Sequence, residues 1–212
     1  MQSSKLIRRG LLLIPLFLSI FFSTQVQAAR TIVWNGDKIG TIANGWSGPS
    51  NSSKVQASPG TGVDGSVGLS WRFEGEGWSG IGWNWYSWWP SDAGTDITDF
   101  TYLVFKIKIT IPPKGKVPSS DTLTVGLTSS GNPGKSSDQV RIAAYCPEAF
   151  DGSWHEVFVP VKDLMVSEKA KLFNPSSVWQ FDSGCYTPDK RNYTVYFDDI
   201  GFDTVKPDTP KK

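Results

Sequence analysis

Four groups of side chains in this 212-residue chain have the types and spacings that chemistry needs. The densest is aromatic: Trp71, Trp78, Trp83, Trp85, Trp88 and Trp89 are six of the ten tryptophans. Through Gly77–Pro90, alternation assigns Trp83 and Trp85 to the face of Ile81, and so to a core. It puts Trp78, Asn84, Tyr86 and Trp88 on the opposite face, while Trp89 precedes Pro90, where the chain should turn. Flat rings held at the water boundary by a rigid sheet stack on the C–H faces of pyranose sugars with little loss of rotamer entropy. Neighbouring amides and carboxylates then bond the hydroxyls. Such rings could equally anchor a protein partner.

The second group is Asp198-Asp199. Val195 and Phe197 share one phase, and Ile200 and Phe202 sit one residue out of it, the sequence mark of a β-bulge. A carboxylate buried there needs compensation, which calcium could supply; alternatively both acids face solvent at a sheet edge. The third is Glu74 with Glu76, the best acid pair for a small sandwich-fold glycosidase or polysaccharide lyase, about 6.5–7 Å apart along a strand and nearer an inverting than a retaining spacing. Against catalysis, Glu74-Gly75-Glu76-Gly77 reads as a strand end. The single His155 lies in the Val157–Val161 strand, where a structural role is expected. The fourth is Cys146 with Cys185. A bridge between them would close a loop of about 40 residues, worth on the order of 3–4 kcal/mol; the other reading is two separate buried thiols.

Positioning these groups falls to strands. Val67, Leu69, Trp71 and Phe73 alternate with polar neighbours, as do Leu103–Ile109, Leu123–Leu127, Val140–Ala144 and Val157–Val161. Gly/Pro turns separate them, and a short helical connector is expected around Lys162–Val166. The pattern predicts an all-β fold, a two-sheet antiparallel β-sandwich. Phase then turns Thr124, Gly126 and Thr128 outward as a low floor, with Arg141, Tyr145, Gln180 and Asp182 outward on other strands.

The flanks read differently. Residues 1–28 have the basic start, 13-residue apolar run and small-residue cleavage site (Val26-Gln27-Ala28) of an export signal. That predicts one domain over 30–204, a Pro/Lys-rich tail over 205–212, and an extracellular or periplasmic monomer that does not insert in a membrane. Export also favours the Cys146–Cys185 bridge. Without residues 1–28, 18 basic side chains face 20 acidic ones, which gives no footprint for nucleic acid.

Three motifs resemble the non-catalytic carbohydrate-binding modules with a calcium-containing, galactose-binding-like jelly-roll sandwich. They are Gly77–Trp83 followed by Asp96–Phe105, Trp154–Leu164, and Val195–Phe202. The resemblance spans most of residues 31–203 and implies a polysaccharide or oligosaccharide ligand and no catalysis. It also implies structural calcium at Asp198, with Asn35 and Asp37 as the available oxygens from the N-terminal strands.

Overall fold

The computed structural model describes residues 29–36, 44–48, 54–58, 60–85, 94–111, 122–130 and 135–206; within 44–48, 54–58, 73–76 and 187–192 it describes the backbone alone. The described residues form ten strands: β1 (Arg30–Trp34), β2 (Asn44–Gly48), β3 (Lys54–Ser58), β4 (Gly68–Asn84), β5 (Tyr102–Thr110), β6 (Thr124–Ser129), β7 (Lys135–Ser136), β8 (Val140–Arg141), β9 (His155–Pro160) and β10 (Val178–Asp203). All pairings between them are antiparallel.

Two strands are far longer than the rest, and they make the sandwich. β4 and β10 pair with each other from Leu69↔Phe197 to Asn84↔Gln180, with a register shift between Thr187 and Arg191. Their first and last parts join β3, β5, β9 and β1 in one layer. Their other parts join β2 and β6, with β7 and β8 on the far side of β6, in the second layer. That the ribbon folds back is visible in its rings: Phe181 and Phe197, both on β10, lie 5.2 Å apart by ring centroid. Sixteen residues of straight strand would hold them about 50 Å apart.

The core fills the space between the layers. Trp83 stacks on Phe181 at 5.9 Å and meets Phe197 edge-on at 5.2 Å, while Phe105 touches Phe181 at 5.4 Å and Phe197 at 5.8 Å. Each such pair adds about 0.5–1.5 kcal/mol beyond the area it buries. The alternating rows of the sequence land where their phase put them: Leu69, Trp71, Leu103, Phe105, Ile107, Ile109, Leu123, Val125, Leu127, Val157 and Val159 are all sealed from water.

The bulge also forms. The β10–β5 register slips between Asp198 and Gly201, and Asp199 takes a left-handed φ of +46°. One local expectation fails and one holds. The row Val140–Ala144 is strand only over Val140–Arg141 and then tightens into a 3₁₀ turn, Ile142–Ala144. The connector after Pro160 is also a 3₁₀ turn, Val161–Leu164.

The cysteines are corrected as well. Both are buried free thiols, each with its own partners. Cys185 Sγ lies 2.7 Å from the Tyr193 hydroxyl, while burial and the Glu148 carboxylate push the Cys146 thiol up to about 11. The expected bridge is absent from this fold.

Candidate functional site

On the outer face of the second layer, register sets the outward positions of β4, β10 and β6 in rows, with the backbone of β2 alongside. One row runs Asn44, Asn84, Gln180, Thr128 and Ser136 across β2, β4, β10, β6 and β7. The next runs Trp46, Gly82, Asp182 and Gly126, and the third Gly48, Gly80, Gly184 and Thr124. A fourth rung pairs Trp78 with Tyr186, the two rings standing opposite each other on β4 and β10. These rings remain 48 % and 56 % exposed although they grow from the middle of the sheet.

Glycines keep the area between the rings and the polar row low. Above it lies a hollow of about 230 Å³, lined by Trp78, Thr124, Thr128, Gln139, Lys169, Gln180 and Asp182. Pockets that engulf small ligands usually run about 300–1,000 Å³, so this shape suits a chain lying across the face. Beside Gly126 the chain of residues 137–139 crosses β6: a Cβ there would come within 2.5 Å of Gln139 Nε2 and 3.0 Å of the Asp138 carbonyl. Gln139 accepts the Thr124 hydroxyl at 3.1 Å, and Asp138 accepts the Val166 and Ser167 amides, holding the Lys169-bearing turn against this wall.

Among the described residues, Asp182 is the one acid lining the hollow. Its Oδ2 accepts the Thr128 hydroxyl at 2.6 Å, and its Oδ1 accepts the Gln180 amide. Burial outweighs both donors and pushes its carboxyl up to about 7. Beside it, Asn84 is wholly buried, and neither atom of its amide has a partner among the described residues.

Of the sequence candidates, the structure brings Trp78, Gln180 and Asp182 together around the hollow, while Asn84 pairs with Gln180 and is wholly buried. Arg141 is exposed at the margin, opposite Thr124. Tyr145 is turned away, because the 3₁₀ turn replaces the expected strand. Its hydroxyl donates to Asp163 at 2.9 Å, and burial with that carboxylate raises it to about 12. Tyr86, Trp88 and Trp89 lie outside the described residues. Tyr186 was missed although it continues the phase of Gln180 and Asp182; Lys169 and Gln139 come from turns whose placement no local pattern announces. Of the rival catalytic groups, His155 Nε2 bonds the Asp151 carboxylate at 2.9 Å, and the Glu74 and Glu76 side chains lie outside the described residues.

Asp198 is buried, as the bulge suggested, and its surroundings are donors. Oδ2 accepts the Val63 amide and the Ser66 hydroxyl, and Oδ1 accepts the Asp199 amide, all at 2.8 Å. A Cβ on Gly62 would stand 2.5 Å from Oδ2, so glycine lets this loop close on the acid. Burial still raises its carboxyl. Asp199 pairs with Lys106 at 2.8 Å. Calcium is coordinated by oxygen lone pairs, whereas three hydrogens point at Asp198. No cluster of three His, Cys, Asp or Glu is present among the described residues. Asn35 follows the end of β1, and Asp37 lies outside the described residues. The described groups therefore fit a carboxylate balanced by dipoles better than a cation shell.

The family model named Carbohydrate binding domain 30 matches residues 20–204. The chain belongs to that family. It is a non-catalytic carbohydrate-binding module. A search of curated proteins gave no match. Among solved structures, a family 30 carbohydrate-binding module is similar at 18% identity and a TM-score of 0.60, covering 89% of this chain and 93% of that one. The family 30 module of a cellulosomal cellulase of Clostridium thermocellum follows at 21% and 0.57, covering 78% and 92%. A family 11 module of another cellulosomal cellulase from that organism gives 13% and 0.52, covering 85% and 97%.

Proposed function

We propose that this family 30 module holds a polysaccharide chain across the outer face of the layer β2–β4–β10–β6. The observation that carries this is the half-exposed pair Trp78 and Tyr186, standing at one end of a glycine-lowered floor that leads to Asp182, Gln180 and Thr128. The rings supply flat apolar faces for sugar C–H groups, and the polar row supplies acceptors and donors for hydroxyls. The likeness to modules of cellulosomal cellulases supports a plant-type polysaccharide as ligand. An export signal over residues 1–28 would place the module outside the cell or in the periplasm, where such polymers are met, acting as a monomer.

The test is affinity electrophoresis through gels containing hydroxyethylcellulose, mixed-linkage β-glucan, xylan or galactomannan. At least one should retard the protein, and Trp78→Ala should lose that retardation while keeping its melting temperature. Equal retardation of the variant would remove the site from this face.

A further inference from the structure

Asp182 stands where the chain would lie, and its setting is unusual for a groove acid. Its partners on the flanking strands are Gly82 and Gly126, so no side chain stands beside it on either one. A carboxylate has about four lone-pair positions. Thr128 and Gln180 take two of them, and the remainder border the hollow.

Among the described residues, the charged and titratable groups around it are few. On its own strand the nearest along the same face is Tyr186, and β4 presents Trp78 and Asn84, which do not titrate. β6 presents hydroxyls only, at Thr124 and Thr128. From the wall, Asp138 is turned to Val166 and Ser167, Lys135 is half-buried on β7, and Arg141 is exposed beyond Thr124. Lys169 lines the same hollow; burial raises the Asp182 carboxyl, and the bonds from Thr128 and Gln180 oppose that rise.

We propose that Asp182, as a carboxylate, grips two neighbouring hydroxyls of the bound chain and releases its proton to solvent as they seat, so that glycan binding by this module is proton-linked. The inference rests on the polysaccharide-binding function proposed above. Two sugar hydroxyls donate to the two open positions and favour the charged form, replacing the hydration that burial has removed. The protonated acid uses one position for its own hydrogen and cannot accept both. The balance is simple: the carboxylic acid and a free diol become a carboxylate–diol pair plus one proton taken up by buffer.

Isothermal titration of the full chain with the same four polysaccharides, in buffers of low and high ionisation enthalpy, counts that proton directly. From a free-state value of about 7, nearly one proton should leave per bound site at about pH 6 and almost none at about pH 8.5, with affinity rising about tenfold between about pH 6 and 8. Asp182→Asn should bind more weakly than the wild type at about pH 8, with no proton release and a flat pH profile. Should that variant fail to fold, the wild-type count in the two buffers decides alone. Binding at about pH 6 that is lost in Trp78→Ala but releases no proton overturns the proton link while leaving the site intact. Wild-type proton release persisting in Asp182→Asn also overturns it. Binding to none of the four at any pH removes the proposed function and this inference together.

Discussion

The acid at the groove floor should govern the pH dependence of stability in the ligand-free protein, and Asp182→Asn isolates that effect. The folded carboxyl holds its proton up to about 7, whereas the unfolded side chain releases it near 3.8. Below about pH 4 both states are protonated, so Asp182 contributes no pH dependence. As pH rises through the window from about 4 to 7, the unfolded state ionises first and is favoured; above about 7 the full cost of a buried charge is present. At about 1.4 kcal/mol for each tenfold difference in proton affinity, that cost is on the order of 4 kcal/mol. The variant has no charge to bury. Thr128 can donate to the new amide oxygen, and Gln180 can reverse its own amide to accept from the new nitrogen. Urea unfolding followed by tryptophan fluorescence, at half-unit steps from pH 4 to 8.5, gives the difference between the two proteins. Asp96, Asp138, Asp151 and Asp203, whose carboxyls hydrogen bonds hold below the usual range, contribute stability that fades only as pH falls through their lowered values. They are common to both proteins and cancel. The variant should gain on the wild type steadily across the window and then plateau; a difference that stays flat from pH 4 to 8.5 would refute the buried-acid argument.

Three further outcomes can be measured on the same protein. Phe181→Ala removes the ring that meets Trp83, Phe105 and Phe197 and should cost about 3–5 kcal/mol in urea unfolding; a loss under about 1 kcal/mol would show that the layers are not joined there. Gly126→Ala drives a methyl into Gln139 and the Asp138 carbonyl, so glycan retardation should fall while unfolding shifts by no more than about 1–2 kcal/mol; unchanged retardation would show that this wall does not touch the ligand. Ser66→Ala should lower stability by about 1–2 kcal/mol through the lost bond to Asp198, and chelator should leave the melting temperature unchanged. A drop on chelation would instead establish a cation at Asp198.

Period-2 alternation made most of this fold legible, because a half-buried strand writes its inner face into every second residue. Leu103 to Ile109 is the clearest case, and the phase slip at Asp198-Asp199 marked a bulge whose backbone is left-handed at Asp199. The same signal turned Trp78, Asn84, Gln180 and Asp182 outward on their strands, and register then set them on the first, second and fourth rungs of one face. It failed at Val140–Ala144, where Ile142 is buried by a 3₁₀ turn that imitates one strand step, carrying Tyr145 to Asp163. Compensation of a buried charge was the other blind spot. Sequence shows the acid at Asp198, but not that Gly62 lets a loop 135 residues away in the chain close on it with an amide and a hydroxyl. The thiols of Cys146 and Cys185 belong to the same class, since pairing depends on approach in space.

Along the first part of β10 the residues at the water boundary and those sealed inside are interleaved one by one: Gln180 beside Phe181, Asp182 beside Ser183, Gly184 beside Cys185. If the proposed site is the binding face, ligand preference and structural integrity are written in alternate letters of a single stretch. The odd-numbered positions can stay fixed while the even-numbered ones are rewritten, which makes this short run a natural place to retarget the module to a different polymer.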